Sequence, residues 1–322
     1  MANDRFKFSA AIDCSRQTVY CSSMTANQMH DDEVHTDVSL VRRLIAAQFP
    51  RWSGLPVTPL RSAGTDNALY RLGDELLVRL PRIESATNQV HKEHQWLPRL
   101  APYLPLAVPV PLAKGEPGDG YPWSWSIYRW LEGENTAVED LADPQQAALD
   151  LAHFIIALQR IDTAGGPPPG PENTSRGVPL AERDRATRMA IAALEGMVDG
   201  RAAAMAWEEA LQTPEWPGPP LWIHGDLLPG NLLARRGRLS AVIDFGCLTV
   251  GDPACDVMAA WAYLTAETRE TFRAALGVDD DTWARGRGWA LSFGLIALPY
   301  YRESNRALAA TARRAIGEVL GE

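Results

Sequence analysis

The stretch from residue 222 to 246 reads WIHGDLLPGNLLARRGRLSAVIDFG, and its few polar residues are regularly placed among apolar runs. Asp226 is followed five positions later by Asn231, and Asp244 comes thirteen beyond that. The segments NLLA and LSAVI flank Arg235-Arg236-Gly237, a pattern that predicts a short hairpin. A carboxylate at the end of one strand and an amide oxygen at the start of the other then face a common point. Two hard oxygen donors suit Mg2+, which takes one or two protein groups beside substrate phosphates. Asn231 and Asp244 are therefore candidate metal ligands. Asp226, on the loop before the hairpin, is placed to accept a hydroxyl proton.

The rest of the composition narrows the class. With 322 residues, 46% of them hydrophobic, the chain can bury the core of two lobes or one large domain. A net charge of −9 argues against a nucleic-acid partner. The charge is uneven: residues 1–130 carry 14 basic against 13 acidic side chains, and residues 131–322 carry 17 against 27. An acidic second half serves solubility and equally suits a cationic small molecule. Cys14, Cys21, Cys247 and Cys255 form no C-x-x-C pair and no metal spacing. No secretory segment opens the chain, and the longest apolar run, ALSFGLIALPYY at 290–301, is too short for a membrane span. The expectation is a soluble cytoplasmic protein with no membrane partner; oligomeric state is not legible.

Along the chain, residues 1–36 read as a flexible extension. A helix is expected at 38–49, capped by Asp37 or Ser39. ALYRL and LLVRL around Gly73-Asp74 predict a hairpin, and 84–97 a helix ended or kinked by Pro98. Residues 102–122 read as a loop with an edge strand, and 123–133 as a buried strand running into a turn. A helix over 143–162 has Asp143 as cap and Pro144 at its first position. The breaker-rich 165–179 segment reads as a long functional or mobile loop. Helices are expected at 180–212, 254–276 and 281–319. The expected fold is therefore α+β and two-lobed: a mostly β lobe over 37–132 and a mostly helical one over 133–322.

His224-Gly225-Asp226, Asn231 and Asp244-Phe245-Gly246 follow the order of the phosphoryl-transfer parts of kinases. With HGDLLPGNLL (224–233), VIDFG (242–246) and GDPACDV (251–257) taken together, the chain resembles the aminoglycoside phosphotransferase family, small-molecule relatives of protein kinases. The GDPACDV segment is absent from ordinary protein kinases. The resemblance implies that Asp252 and Asp256 brace the catalytic loop, with His224 a structural support. RSAGTDNALYRL (61–72) resembles the family's nucleotide loop through Ser62, Gly64 and Asn67. Arg79 stands on the strand where protein kinases place a lysine, and Glu93 in the next helix is its expected partner. SIYRWLEGE (126–134) resembles the hinge between lobes, so backbone groups from Arg129 to Leu131 would read the base. Tyr128 would stand at the back of the base pocket, where its bulk would favour guanine.

The resemblance implies transfer of the γ-phosphoryl group of ATP or GTP, with Mg2+, to a hydroxyl of a small molecule. An aminoglycoside or related cationic antibiotic leads. A macrolide enclosed by Trp261, Trp283 and Trp289, or a metabolite such as a sugar, a choline-like alcohol or homoserine, stands as the alternative. Glu267 and Asp279–Asp281 are acidic groups available for a cation. Two other classes are open: a nucleotide-binding regulator without transfer, and a metal-dependent phosphoesterase, for which only His224 of six histidines lies in a motif.

Overall fold

The computed structural model describes residues 33–60, 66–135 and 137–321. Most of the expected extension (1–32) and two residues of the expected nucleotide loop, Ser62 and Gly64, lie outside them. Helix α1 (Val38–Gln48) starts where Asp37 caps it, Oδ1 accepting the Leu40 N–H at 2.7 Å. Its stripe of Leu40, Val41, Leu44 and Ile45 is buried in one core with an antiparallel sheet. That sheet holds β1 (Val57–Leu60), β2 (Asn67–Leu72), β3 (Leu76–Pro81), β4 (Pro111–Gly115) and β5 (Trp125–Arg129) in the order β1-β2-β3-β5-β4. The β2–β3 hairpin turns at Gly73, as its sequence predicts. β1 spans four residues with Pro59 among them, too short a pattern to read from sequence.

Helix α2 (Thr87–Leu100) does not stop at Pro98. A proline in the last turn forfeits a single i→i−4 bond. Trp96, Leu97 and Leu100, all buried in the larger of two hydrophobic cores, hold that turn in place. The helix is thus anchored in the second core while its earlier turns face the first sheet.

Beyond β5 come β6 (Glu134–Asn135) and α3 (Pro144–Gln159), which Asp143 caps by accepting the Gln146 N–H. Next are α4 (Asp184–Ala193) and α5 (Gly200–Gln212), where one helix was expected over 180–212. Gly196 at φ +76° ends the first, and the Asp199 side chain restarts the second. Three strands follow: β7 (Leu221–Ile223), β8 (Leu232–Arg235) and β9 (Arg238–Val242). Then come β10 (Thr249–Gly251), the short helices α6 (Ala254–Val257) and α7 (Ala259–Ala262), and the longer α8 (Ala266–Leu276). The chain closes with α9 (Asp280–Tyr301) and α10 (Arg306–Leu320). The helix expected over 254–276 breaks before α8, where Thr265 and Thr268 form a reciprocal cap. The one expected over 281–319 breaks before α10, where Asn305 caps a new start. In each case a local side-chain cap overrides a continuous apolar pattern. No helix of the described residues is long and apolar enough to cross a membrane.

β6, β8 and β9 form one small sheet, and β7 pairs antiparallel with β10 in another. The second pair was not read from sequence, each strand having three residues. It matters because Ile223 opposite Thr249 ties together the two ends of the quoted stretch. The architecture is the expected two-lobed α+β fold.

Candidate active site

The loop after β7 is held from beneath. Gly225 has φ +81°, and a Cβ there would meet the Arg176 side chain and the Cys247 carbonyl, both at 3.0 Å. Only glycine meets both demands without strain. Buried Asp256 accepts the His224 N–H at 2.8 Å and the Gly225 N–H at 2.7 Å. Burial holds the His224 ring at about 4, so it is neutral near pH 7. Its Nε2 lies 3.1 Å from the Ile243 carbonyl and its Nδ1 3.2 Å from the Asp226 N–H. A neutral ring satisfies both only as the Nε2–H tautomer, donating to Ile243 and accepting from Asp226. Asp252 accepts from Arg285 Nε at 2.8 Å and from the Ala254 N–H at 2.9 Å. Asp256 and His224 thus bond the loop's backbone, whereas Asp252 bonds Arg285 and the start of α6.

At the loop's tip, Asn231 Nδ2 donates to both Asp226 Oδ2 and the Asp226 carbonyl at 2.9 Å. Arg176 Nη2 lies 3.2 Å from Asp226 Oδ1. Burial raises the Asp226 pKa above the usual carboxylate range, against the pull of Arg176. Asp244 takes the left-handed conformation at φ +62°, which is costly for a non-glycine residue and clusters at functional sites. Its Oδ1 accepts from Gln89 Nε2 at 2.7 Å and Arg79 Nη2 at 3.0 Å. Burial alone would raise the Asp244 pKa, but Arg79 and Gln89 outweigh it and hold the carboxyl below its ordinary value.

Among the described residues no donor reaches Asn231 Oδ1 or Asp244 Oδ2, and the Asp244 side chain is 43% exposed. Two oxygen donors open on one side fit Mg2+ in kind and number. No three His, Cys, Asp or Glu of the described residues converge into the kind of cluster that a two-metal phosphoesterase uses.

On the sheet side, Arg79 Nη1 meets Glu93 Oε1 at 2.8 Å. The Tyr128 hydroxyl donates to Glu93 Oε2, so this tyrosine points toward α2. Asn67, with its amide oxygen turned to the guanidinium, accepts from Arg79 Nη2 at 3.0 Å. Burial alone would lower the Arg79 pKa, but Glu93 and Asp244 raise it further, so its charge is permanent. Arg129 ends β5 exposed, and Leu131 follows outside any helix or strand.

Four contributors carry no motif. Gln89 bridges Asp244 and Glu93, and Lys92 donates to the Gly246 carbonyl, both from α2. Arg176 arrives from the 165–179 loop and Arg285 from α9. That loop is fixed rather than free: Val250 N–H donates to Pro167 O at 2.8 Å, and Asp252 N–H to Gly177 O at 2.9 Å. Thr174 and Ser175 both adopt φ +53° just before Arg176, so the strained backbone aims that side chain. The loop's density of breakers was the one available signal. Trp261 and Trp289 are fully buried and Trp283 lies against Trp261, so these tryptophans belong to the core. Asp279 caps α9 and Asp280 pairs with Arg273 at 2.5 Å, while the Glu267 carbonyl accepts from Gln145.

The geometry has counterparts among known proteins. The GDP complex of wild-type aminoglycoside 2'-phosphotransferase-IIIa has a TM-score of 0.66 at 20% identity, covering 89% of this chain and 99% of that one. The GDP and kanamycin complex of APH(2")-IIia gives 0.65 at 22%, covering 87% and 98%. Macrolide 2'-phosphotransferase MphH from Brachybacterium faecium, as apoenzyme, gives 0.56 at 24%, covering 87% and 97%. At such identities the likeness establishes the fold. No curated protein matches the sequence. Residues 57–289 do match a sequence family, and on that match this chain belongs to the phosphotransferase enzyme family.

Proposed function

We propose that this protein transfers the γ-phosphoryl group of ATP or GTP to a hydroxyl of a small molecule. The observation that carries the reading is the convergence of Asp226, Asn231 and Asp244 with the Arg79–Glu93 pair. Asn231 and Asp244 would hold Mg2+, which when bound neutralises charge on the phosphates. Arg79, fixed by Glu93, pairs with phosphate oxygens, and the sequence resemblance gives the segment with Ser62, Gly64 and Asn67 the part of nucleotide loop. Backbone groups at Arg129 and Leu131 read the base. Asp226 orients the acceptor hydroxyl and takes its proton as the new P–O bond forms. Arg176 opposes the burial that raises the Asp226 pKa and helps fix the direction of its carboxylate. Structural relatives solved with GDP, ADP and ATP support nucleotide as donor.

An antibiotic acceptor is supported by the names those relatives carry, and the acidic second half suits an aminoglycoside. A metabolite acceptor is the second reading. It is favoured by Arg176, a cation already held 3.2 Å from Asp226, which repels a polycationic acceptor.

The test is nucleotide consumption with Mg2+ and ATP or GTP across antibiotics and small alcohols, with mass detection of phosphorylated product. Asp226→Ala should cut transfer by about 10²–10⁴-fold while nucleotide affinity is kept. Full activity in that variant would end the assignment.

A further inference from the structure

Arg183 ends the turn before α4 and is 7% exposed. Its Nε donates to Ser292 Oγ at 2.9 Å, and its guanidinium carbon stands 4.5 Å from the Trp289 ring centre. Thr187 Oγ1 donates to the Arg183 carbonyl at 3.0 Å and accepts from Ser292 Oγ at 2.8 Å, so the two hydroxyls hold the arginine in place. Among the described residues no carboxylate pairs with Arg183. The nearby acids are engaged elsewhere. Asp184 accepts from Arg188 and Trp207, Asp226 from Arg176, and Asp252 from Arg285. Trp289 Nε1 is also buried without a partner. Burial pulls the Arg183 pKa down to about 9, with the like charge of Arg176 adding to it, so the group is still a cation at neutral pH.

A buried, unpaired charge is costly, and a structural role would be served as well by a neutral side chain. Ser292 is the chain neighbour of Phe293, the ring beneath Arg176, and Arg176 in turn bonds Asp226, so the two arginines reach consecutive residues of α9. The expected acidic contacts for a cation are remote. Asp279, at the start of α9, lies about 21 Å along that helix from Phe293, at 1.5 Å per residue.

We propose that the Arg183 guanidinium, held by Ser292 and stacked on Trp289, forms an anion subsite on the acceptor side of Asp226, so that the acceptor carries a carboxylate, sulfate or phosphate group beside its reactive hydroxyl. The inference rests on the phosphotransferase reading for the word acceptor; the subsite itself does not.

The experiment compares hydroxycarboxylates and hydroxysulfonates with their methyl esters or amides, and with kanamycin, in wild type and Arg183→Met. The acids should exceed their neutral counterparts in kcat/KM by at least about 30-fold, and the preference should vanish in the variant. The KM for nucleotide should not move. A nucleotide KM that rises instead would assign the anion to the donor's phosphate and overturn the proposal, as would esters used as fast as acids. The melting temperature is read in parallel with malate and with sulfate. Both should raise it in wild type and not in Arg183→Met, whose ligand-free stability should equal or exceed wild type because an uncompensated charge has gone. No response in wild type overturns the subsite. A response without transfer to any acceptor keeps the subsite and breaks the phosphotransferase reading. If Arg183→Met does not fold, Arg183→Lys decides: the charge stays but the planar fork is lost, and acid preference should fall without disappearing.

Discussion

The two faces of the cleft treat buried charge in opposite ways. On the sheet side Arg79 is shared between Glu93 and Asp244, Gln89 bridges the same two carboxylates, and Tyr128 takes the remaining Glu93 oxygen. Each charge there has a counter-charge supplied by the chain itself. On the helical side Arg183 has hydroxyls and an aromatic face but no counter-charge from the described residues. On the proposed function, the complete face would position a ligand whose charge Mg2+ and Arg79 meet, and the face left one charge short would select a ligand that supplies it.

The largest expected effect tests this contrast directly. Glu93 is fully buried, and Glu93→Ala would leave the Tyr128 hydroxyl without its acceptor and Arg79 with Asp244 as its only carboxylate. Breaking a buried pair from one side costs about 3–5 kcal/mol, so urea unfolding should show a loss of that order. Arg183→Met should show none. Equal losses in the two variants would erase the distinction between the faces.

A second effect separates a buried cation that can neutralise from one that cannot. His94, on α2, lies 3.0 Å from Ser126 Oγ, and burial, with Lys114 and His91 adding, lowers its pKa to about 4. The native state therefore favours the neutral ring, while the unfolded chain takes up a proton near the ordinary 6.5. Stability is full above about 6.5 and falls as pH drops toward 4, by at most about 3 kcal/mol from this residue. His94→Gln should flatten that part of a melting-temperature profile. Arg183 keeps its charge across the same range, so Arg183→Met should leave the slope untouched.

What was legible in sequence follows the distance over which each contact is made. Asp226, Asn231 and Asp244 lie within one short stretch, so their spacing alone states a geometry. Arg79 and Glu93 sit one hairpin strand and one helix apart, and a family pattern was enough to pair them. Arg176 and Arg183 were not found because their partners lie 50 and 109 residues away, on elements whose relative placement no local periodicity encodes. The same reasoning explains the overlong helices. Apolar spacing continues through 194–199 and 263–265, and the polar 302–305 is short enough to read as one helical turn, whereas the breaks are decided by the Asp199, Thr265 and Asn305 side chains. The lobe-wide acidity pointed to a cationic acceptor, yet Asp280 and Asp252 are paired with arginines. Net charge averages over groups that never meet the ligand.

The smallest expected effect sharpens the sheet side further. Gln89 carries no charge, yet its single amide nitrogen reaches Asp244 at 2.7 Å and Glu93 at 3.0 Å. With Lys92 on the Gly246 carbonyl, it fastens α2 to the segment that presents Asp244. Hydrogen bonds to charged groups are worth about 1.5–3 kcal/mol, and Arg79 remains to hold Asp244, so Gln89→Ala should fall at the lower end of that range. The loss should appear in nucleotide affinity, because Asp244 would be less well placed for its ion, while the acceptor KM stays constant. Gln89→Glu is the sharper partner: it puts a third carboxylate between two others, and like charges at hydrogen-bond distance should weaken nucleotide binding more than simple removal does. If Gln89→Glu binds nucleotide better than Gln89→Ala, the sheet side tolerates an excess negative charge, and compensation is not what organises it.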